Sequence, residues 1–192
     1  MDYSIPNTEG DLAWANDNKT IFYTSKNKVT LLSEKIYRHE VGDNFEKDYL
    51  VYEESDNEFY NGVYRSKSGE YIIIWNSSTL VSDYHILSAD EPRGEFLNFT
   101  PRGKNHEYSI EHYKNKFYII TNLEAENNRL MATSIFNTHL DNWVEIIPHR
   151  EQSQILDMDV FENHLVLNER ENSFSKIRIC LLYTSDAADD SL

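Results

Sequence analysis

The chain has 192 residues, 18 of them basic and 33 acidic, for a net charge of −15. That balance argues against nucleic acid and against an anionic membrane surface as partners, because both need clustered Lys and Arg. A single Cys excludes an internal disulfide and a Cys-based zinc site. No run of about 18 apolar residues is present, as a spanning helix would require. The opening Met1-Asp2-Tyr3-Ser4-Ile5-Pro6 carries neither a charged n-region nor an apolar h-region. A reduced, cytoplasmic setting is therefore expected.

Along the chain the apolar runs are short and rich in Tyr, Phe, Ile and Val. The first is Ile21-Phe22-Tyr23-Thr24, preceded by the turn-forming Asn16-Asp17-Asn18-Lys19. Next comes Tyr71-Ile72-Ile73-Ile74-Trp75, preceded by Ser66-Lys67-Ser68-Gly69. Phe117-Tyr118-Ile119-Ile120-Thr121 follows Lys114-Asn115-Lys116, and Leu165-Val166-Leu167 comes last. Four or five β-branched and aromatic residues bounded by Asn, Asp, Ser, Lys or Gly make strands and hairpins. A core helix needs ten or more residues with apolar positions three and four apart, and no segment supplies them.

The runs repeat. Leu50, Leu97 and Val144 are 47 residues apart each time, and so are Tyr52, Phe99 and Ile146. Middle strands fall between the aliphatic runs and this 47-residue series at 34–39, 83–87 and 130–135, so each repeat holds about four strands. A four-stranded unit at this period is the size of a β-propeller blade, which buries its faces only against its neighbours. The expected fold is all-β: an incomplete β-propeller of about three and a half four-stranded blades, at 8–54, 58–102, 105–149 and 152–179. A β-sandwich with coincident spacing is the alternative.

The repeat stops after Lys176-Ile177-Arg178-Ile179. The ten residues Cys180-Leu181-Leu182-Tyr183-Thr184-Ser185-Asp186-Ala187-Ala188-Asp189 resemble the translated read-through of a transposon-end sequencing adapter. On that resemblance residues 180–192 are not native, and removing Asp186, Asp189 and Asp190 brings the charge to −12. The alternative is a natural acidic tail.

Leu12-Ala13-Trp14-Ala15-Asn16-Asp17-Asn18-Lys19-Thr20-Ile21-Phe22-Tyr23 resembles the propeller of the prolyl oligopeptidase family of serine peptidases, most closely its oligopeptidase B (protease II) branch. Further matches run in the family's order: Lys35-Ile36-Tyr37-Arg38-His39-Glu40-Val41-Gly42, Ser77-Ser78-Thr79-Leu80, and Trp143-Val144-Glu145-Ile146-Ile147-Pro148-His149-Arg150-Glu151. The resemblance implies a seven-bladed parent propeller that caps an α/β-hydrolase domain and admits only short peptides. It implies cleavage after Lys or Arg by a Ser-Asp-His triad, with no cofactor and no metal. This chain would then be an internal piece of the propeller. The first blade, the later blades and the hydrolase domain, its partner, would lie outside it, and Met1 would not be the native start.

No Gly-x-Ser-x-Gly elbow occurs, so no catalytic residue is assigned and the fragment alone is expected to be inactive. His106-Glu107 and Glu111-His112 have the wrong spacing for a His-Glu-x-x-His metal site. The resemblance carries three peptide-facing positions onto Glu9, Tyr60 and Leu80. An acid at 9 fits a cationic substrate, while the plain reading is a solvated residue before a strand. The innermost strands, taken as 9–15, 58–65, 106–112 and 154–160, carry Glu9, Asp11, Glu58, Glu107, Glu111, Asp157 and Asp159. These acids would attract a short basic peptide by field focusing, or simply keep the surface soluble. A stand-alone propeller-like binding module with a natural acidic tail is the alternative function.

Overall fold

The computed structural model describes residues 4–182. Fifteen strands form four separate antiparallel sheets, where a sandwich would have two; none of the four closes on itself. Among the described residues there is no α-helix; Phe45–Lys47 and Leu140–Asn142 are single 3₁₀ turns. The first sheet is β1 (Thr8–Trp14), β2 (Thr20–Lys26), β3 (Ser33–Glu40) and β4 (Tyr49–Glu53). The second is β5 (Tyr60–Arg65), β6 (Tyr71–Ser77), β7 (Ser82–Ser88) and β8 (Leu97–Asn98). The third is β9 (Tyr108–Tyr113), β10 (Lys116–Thr121), β11 (Arg129–Ser134) and β12 (Val144–Ile147). The last is β13 (Ser153–Val160), β14 (His164–Glu171) and β15 (Phe174–Leu181). In every sheet the strands lie side by side in chain order.

Local chemistry dictates the hairpins. Asp17 accepts hydrogen bonds from the Lys19 and Thr20 amides and the Thr20 hydroxyl, and Asn18 takes a positive φ. Gly69 turns β5 into β6 at φ +75°, beside the guanidinium of Arg65. Gly62 is demanded by packing rather than by φ. It pairs with Trp75 across the strands, and a Cβ there would stand 2.5 Å from the indole nitrogen. The aliphatic second strands form the core because β-branched and aromatic side chains fill a pleated surface well. Ile72, Ile73 and Ile74 are all fully buried.

The described residues make two compact units. Unit one holds the first two sheets, with the chain up to Tyr108 and residues 138–141. There β5 lies against β1, β2 and β3, around a core that includes Ala13, Phe22, Ile36, Val63, Ile72 and Ile74. Unit two holds residues 109–137 and the chain from Asn142. In it β13 lies against β10, around Tyr118, Ile120, Leu130, Ile155, Leu165 and Leu167.

Three boundaries differ from expectation. β5 begins at Tyr60, so Glu58 stands in the preceding turn, and β9 begins at Tyr108, so Glu107 also precedes its strand. β15 runs through Cys180 and Leu181, and Cys180 and Leu182 pack against the unit-two core. Tyr183–Leu192 lie outside the described residues.

Candidate functional site

Tyr60 opens β5 and is 55 % exposed; it pairs with Ser77, the last residue of β6. Leu80, also 55 % exposed, sits in the turn between β6 and β7, which the Ser78 amide closes by donating to the Val81 carbonyl at 2.8 Å. Register therefore places Tyr60 and Leu80 at one end of the second sheet. Glu9 lies at the start of β1, the corresponding end of the first sheet, within β1 rather than ahead of it. It is not a free carboxylate: Lys26 Nζ stands 2.6 Å from it, and the Ser33 hydroxyl donates to it at 3.0 Å.

Behind Tyr60 the polar residues of the second sheet line up. Asn61, Asn76 and Asp83 are cross-strand neighbours on β5, β6 and β7, and all three are buried. The Asn76 amide donates to Asp83 Oδ1 at 2.7 Å and to the Tyr52 hydroxyl of the first sheet at 2.9 Å. Arg102 reaches Asp83 through Nε and Glu54 through Nη2. A planar guanidinium can bridge two carboxylates in this way, and a Lys ammonium cannot do so with the same geometry. The same guanidinium lies 3.8 Å over the ring of Phe59, the residue before Tyr60.

Two buried acids thus face one Arg. Burial works to raise the Glu54 pKa, but the Arg102 hydrogen bond and the Asp56 amide together hold it below its usual value. His85 stands 3.6 Å from Asp83, with its ring against Tyr52. Burial lowers the His85 pKa; Asp83 pulls against that and Arg102 reinforces it. Tyr52 is raised by burial and by the charge of Glu54.

The remaining acids behave less uniformly than a charged passage would. Glu111 is buried in β9 and accepts the His112 amide hydrogen at 2.8 Å, and Asp157 accepts that of Met158. Among the described residues no three His, Cys, Asp or Glu side chains stand together as a metal site. In unit two Arg150, which follows β12, reaches the fully buried Glu169 on β14, with Arg178 3.6 Å from the same oxygen. Arg150 therefore supplies a contact between the third and fourth sheets. Sequence reasoning missed the Glu54–Asp83–Arg102 cluster; its members are far apart in the chain, and no spacing rule joins them.

The description "Prolyl oligopeptidase, N-terminal beta-propeller domain" matches residues 2–189. Dipeptidyl aminopeptidase BI of Pseudoxanthomonas mexicana is 32 % identical over 177 residues, 92 % of this chain and 24 % of that protein. Protease 2 of Moraxella lacunata is 27 % identical over 175 residues, 90 % of this chain and 25 % of that protein. The chain thus spans about a quarter of the length of these relatives. Oligopeptidase B from Trypanosoma brucei, solved in a closed form with covalently bound antipain, superposes with a TM-score of 0.87 at 26 % identity. That match covers 94 % of this chain and 26 % of the other. Oligopeptidase B from Leishmania major has the same fold, with a TM-score of 0.86 at 24 % identity, over 94 % of this chain and 25 % of the other.

Proposed function

The chain belongs to the prolyl oligopeptidase family, and on that premise we propose that it is part of the propeller of an oligopeptidase-B-like serine peptidase that cleaves short peptides after Lys or Arg. The observation that carries this reading is the 94 % superposition on the oligopeptidase B propeller at 26 % identity. In this reading the propeller caps the hydrolase domain and filters substrates by size. Glu9, Tyr60 and Leu80 face the bound peptide. Tyr60 and Leu80 are exposed apolar surfaces at one sheet end, suited to the aliphatic stem of a basic side chain. Glu9 acts differently from a free acid: a cationic residue must compete with Lys26 for it. The protein works in the cytoplasm and needs no metal or organic cofactor; no helix of the described residues is long and apolar enough to cross a membrane.

The blades are 8–54, 58–102, 105–149 and 152–179, and the residues from Cys180 onward are foreign to the protein. The adapter-like ten-residue run supports that boundary. The continuation of β15 through Leu181 weighs against it. Genomic DNA beyond codon 179 tests the whole reading. Further four-strand repeats and a Gly-x-Ser-x-Gly segment are expected, and the full-length product should cleave Lys and Arg substrates while the 192-residue chain alone does not. A stop codon directly after the acidic tail would leave a stand-alone binding module instead.

A further inference from the structure

Tyr60 is exposed, so the backbone that carries it decides where its ring stands. The segment before it is a tight turn whose two ends are held by one guanidinium. At the first end, Arg102 Nη2 binds one oxygen of Glu54 at 2.5 Å, and the other oxygen accepts the Asp56 amide hydrogen at 2.9 Å. Within the turn, the Phe59 amide donates to the Asp56 carbonyl at 3.0 Å, and the Glu58 amide donates to the Asp56 side chain at 3.0 Å. At the second end, Phe59 lies under the Arg102 guanidinium. The remaining arm of Arg102 is fixed to Asp83, which is 1 % exposed and is also held by Asn76. One side chain therefore ties the turn at 54–59 to the middle strands of the second sheet. Its charge partners come from β7 and from the end of the first sheet, so the tie also spans two sheets.

We infer that Arg102 is a positioning residue that sets where Tyr60 is presented to the peptide. The inference rests on the reading of Tyr60 as peptide-facing. Arg102 touches no substrate in this scheme; it acts through Glu54, the turn and Phe59. A guanidinium whose hydrogen-bonding arms reach two buried carboxylates and whose face covers a ring has few alternative arrangements, which suits a fixed reference point.

The test uses the full-length peptidase and hydrogen–deuterium exchange, with Arg102→Met to keep an unbranched apolar stem and remove the guanidinium. Exchange of the 54–60 segment should rise about tenfold while Ile72–Ile74 in β6 stay protected, since only the local opening is made easier. Arg102→Lys should fall between the two, holding one carboxylate at a time. In kinetics on a Lys- or Arg-containing peptide, Arg102→Met and Tyr60→Ala should each raise KM with kcat little changed. The double variant should be no worse than Tyr60→Ala alone, because both act through one contact. Unchanged exchange at 54–60, or exchange raised equally throughout β6, overturns the role of Arg102. Locally raised exchange with a Tyr60→Ala variant of normal KM instead overturns the peptide-facing reading of Tyr60. Additive effects on KM would show that Arg102 acts by some route other than Tyr60, and would overturn the inference as well.

Discussion

In unit one, the face shared by the two sheets is apolar at one end and ionic at the other. Val63, Ile72, Ile74 and Leu87 fill the first half; Asn61, Asn76, Asp83 and His85 fill the second, with Arg102 and Glu54 closing it. In unit two, Leu165 and Leu167 on β14 play the apolar part, and Glu169, two residues further along the strand, meets Arg150 and Arg178. Asn76 and Glu169 occupy matching places near the ends of the second strands of their sheets. Each is bound by a residue from the end of the preceding sheet, Tyr52 in one case and Arg150 in the other. The position demands a buried polar group that answers its neighbour, and the neighbour's chemistry determines which one. The two ends use their guanidinium groups differently. Arg102 places hydrogen bonds on two acids, whereas Arg150 and Arg178 converge on one, and each end leaves buried polar atoms without a partner among the described residues: Asn76 Oδ1 and His85 Nδ1 in one, Glu169 Oε2 and Arg150 Nε in the other.

The most severe way to probe this difference is to empty the apolar halves. Ile74→Ala and Leu167→Ala each remove a side chain with no exposed surface and should cost about 2–5 kcal/mol. Exchange measurements should assign each loss to its own unit; a loss spread over both would mean that the units do not open separately. Smaller effects should come from the ionic halves. Asp83→Asn strips Arg102 of a buried partner and should cost about 1–3 kcal/mol in unit one, read by urea unfolding. Glu169→Gln should cost a similar amount, because Arg150 is 33 % exposed, just as Arg102 is, and Glu169 is as buried as Asp83. A loss in one unit several times that in the other would break the comparison.

The effect of pH should also separate the units. The folded His85 has a pKa below its ordinary 6.5, so the folded state takes up its proton less readily than the unfolded state does. The stability this represents is present above about pH 6.5 and lost as pH falls below it. Thermal unfolding of unit one should therefore drop between pH 7 and 5.5, and His85→Gln should flatten that slope. Glu54, held below its ordinary 4.5, adds a second loss at still lower pH. The smallest effect belongs to the exposed pair of Lys176 and Glu171 on the last hairpin, where Lys176→Ala should leave the melting curve unchanged.

Much of the architecture was legible in the residues. Ile72-Ile73-Ile74 and Phe117-Tyr118-Ile119-Ile120 announce buried strands through β-branched and aromatic density, and Asn18 and Gly69 announce turns through their tolerance of positive φ. Repetition at 47 residues then makes each strand support the reading of the next. Strand starts were less legible: Glu58 and Glu107 look like strand residues because alternation continues into the turns before Tyr60 and Tyr108. Glu9, Tyr60 and Leu80 came from family resemblance, since exposed positions leave no periodic trace.

The sequence by itself determined an all-β chain of four repeated sheets and an acidic character, because side-chain period and turn chemistry are local properties. Only the tertiary structure decided which charges are free. It gave Glu9 to Lys26, buried Glu111, and brought Glu54, Asp83 and Arg102 together across 48 residues of chain. Pairing between distant charges depends on which sheet faces meet and how far a guanidinium reaches. Neither quantity is written in the spacing of the residues.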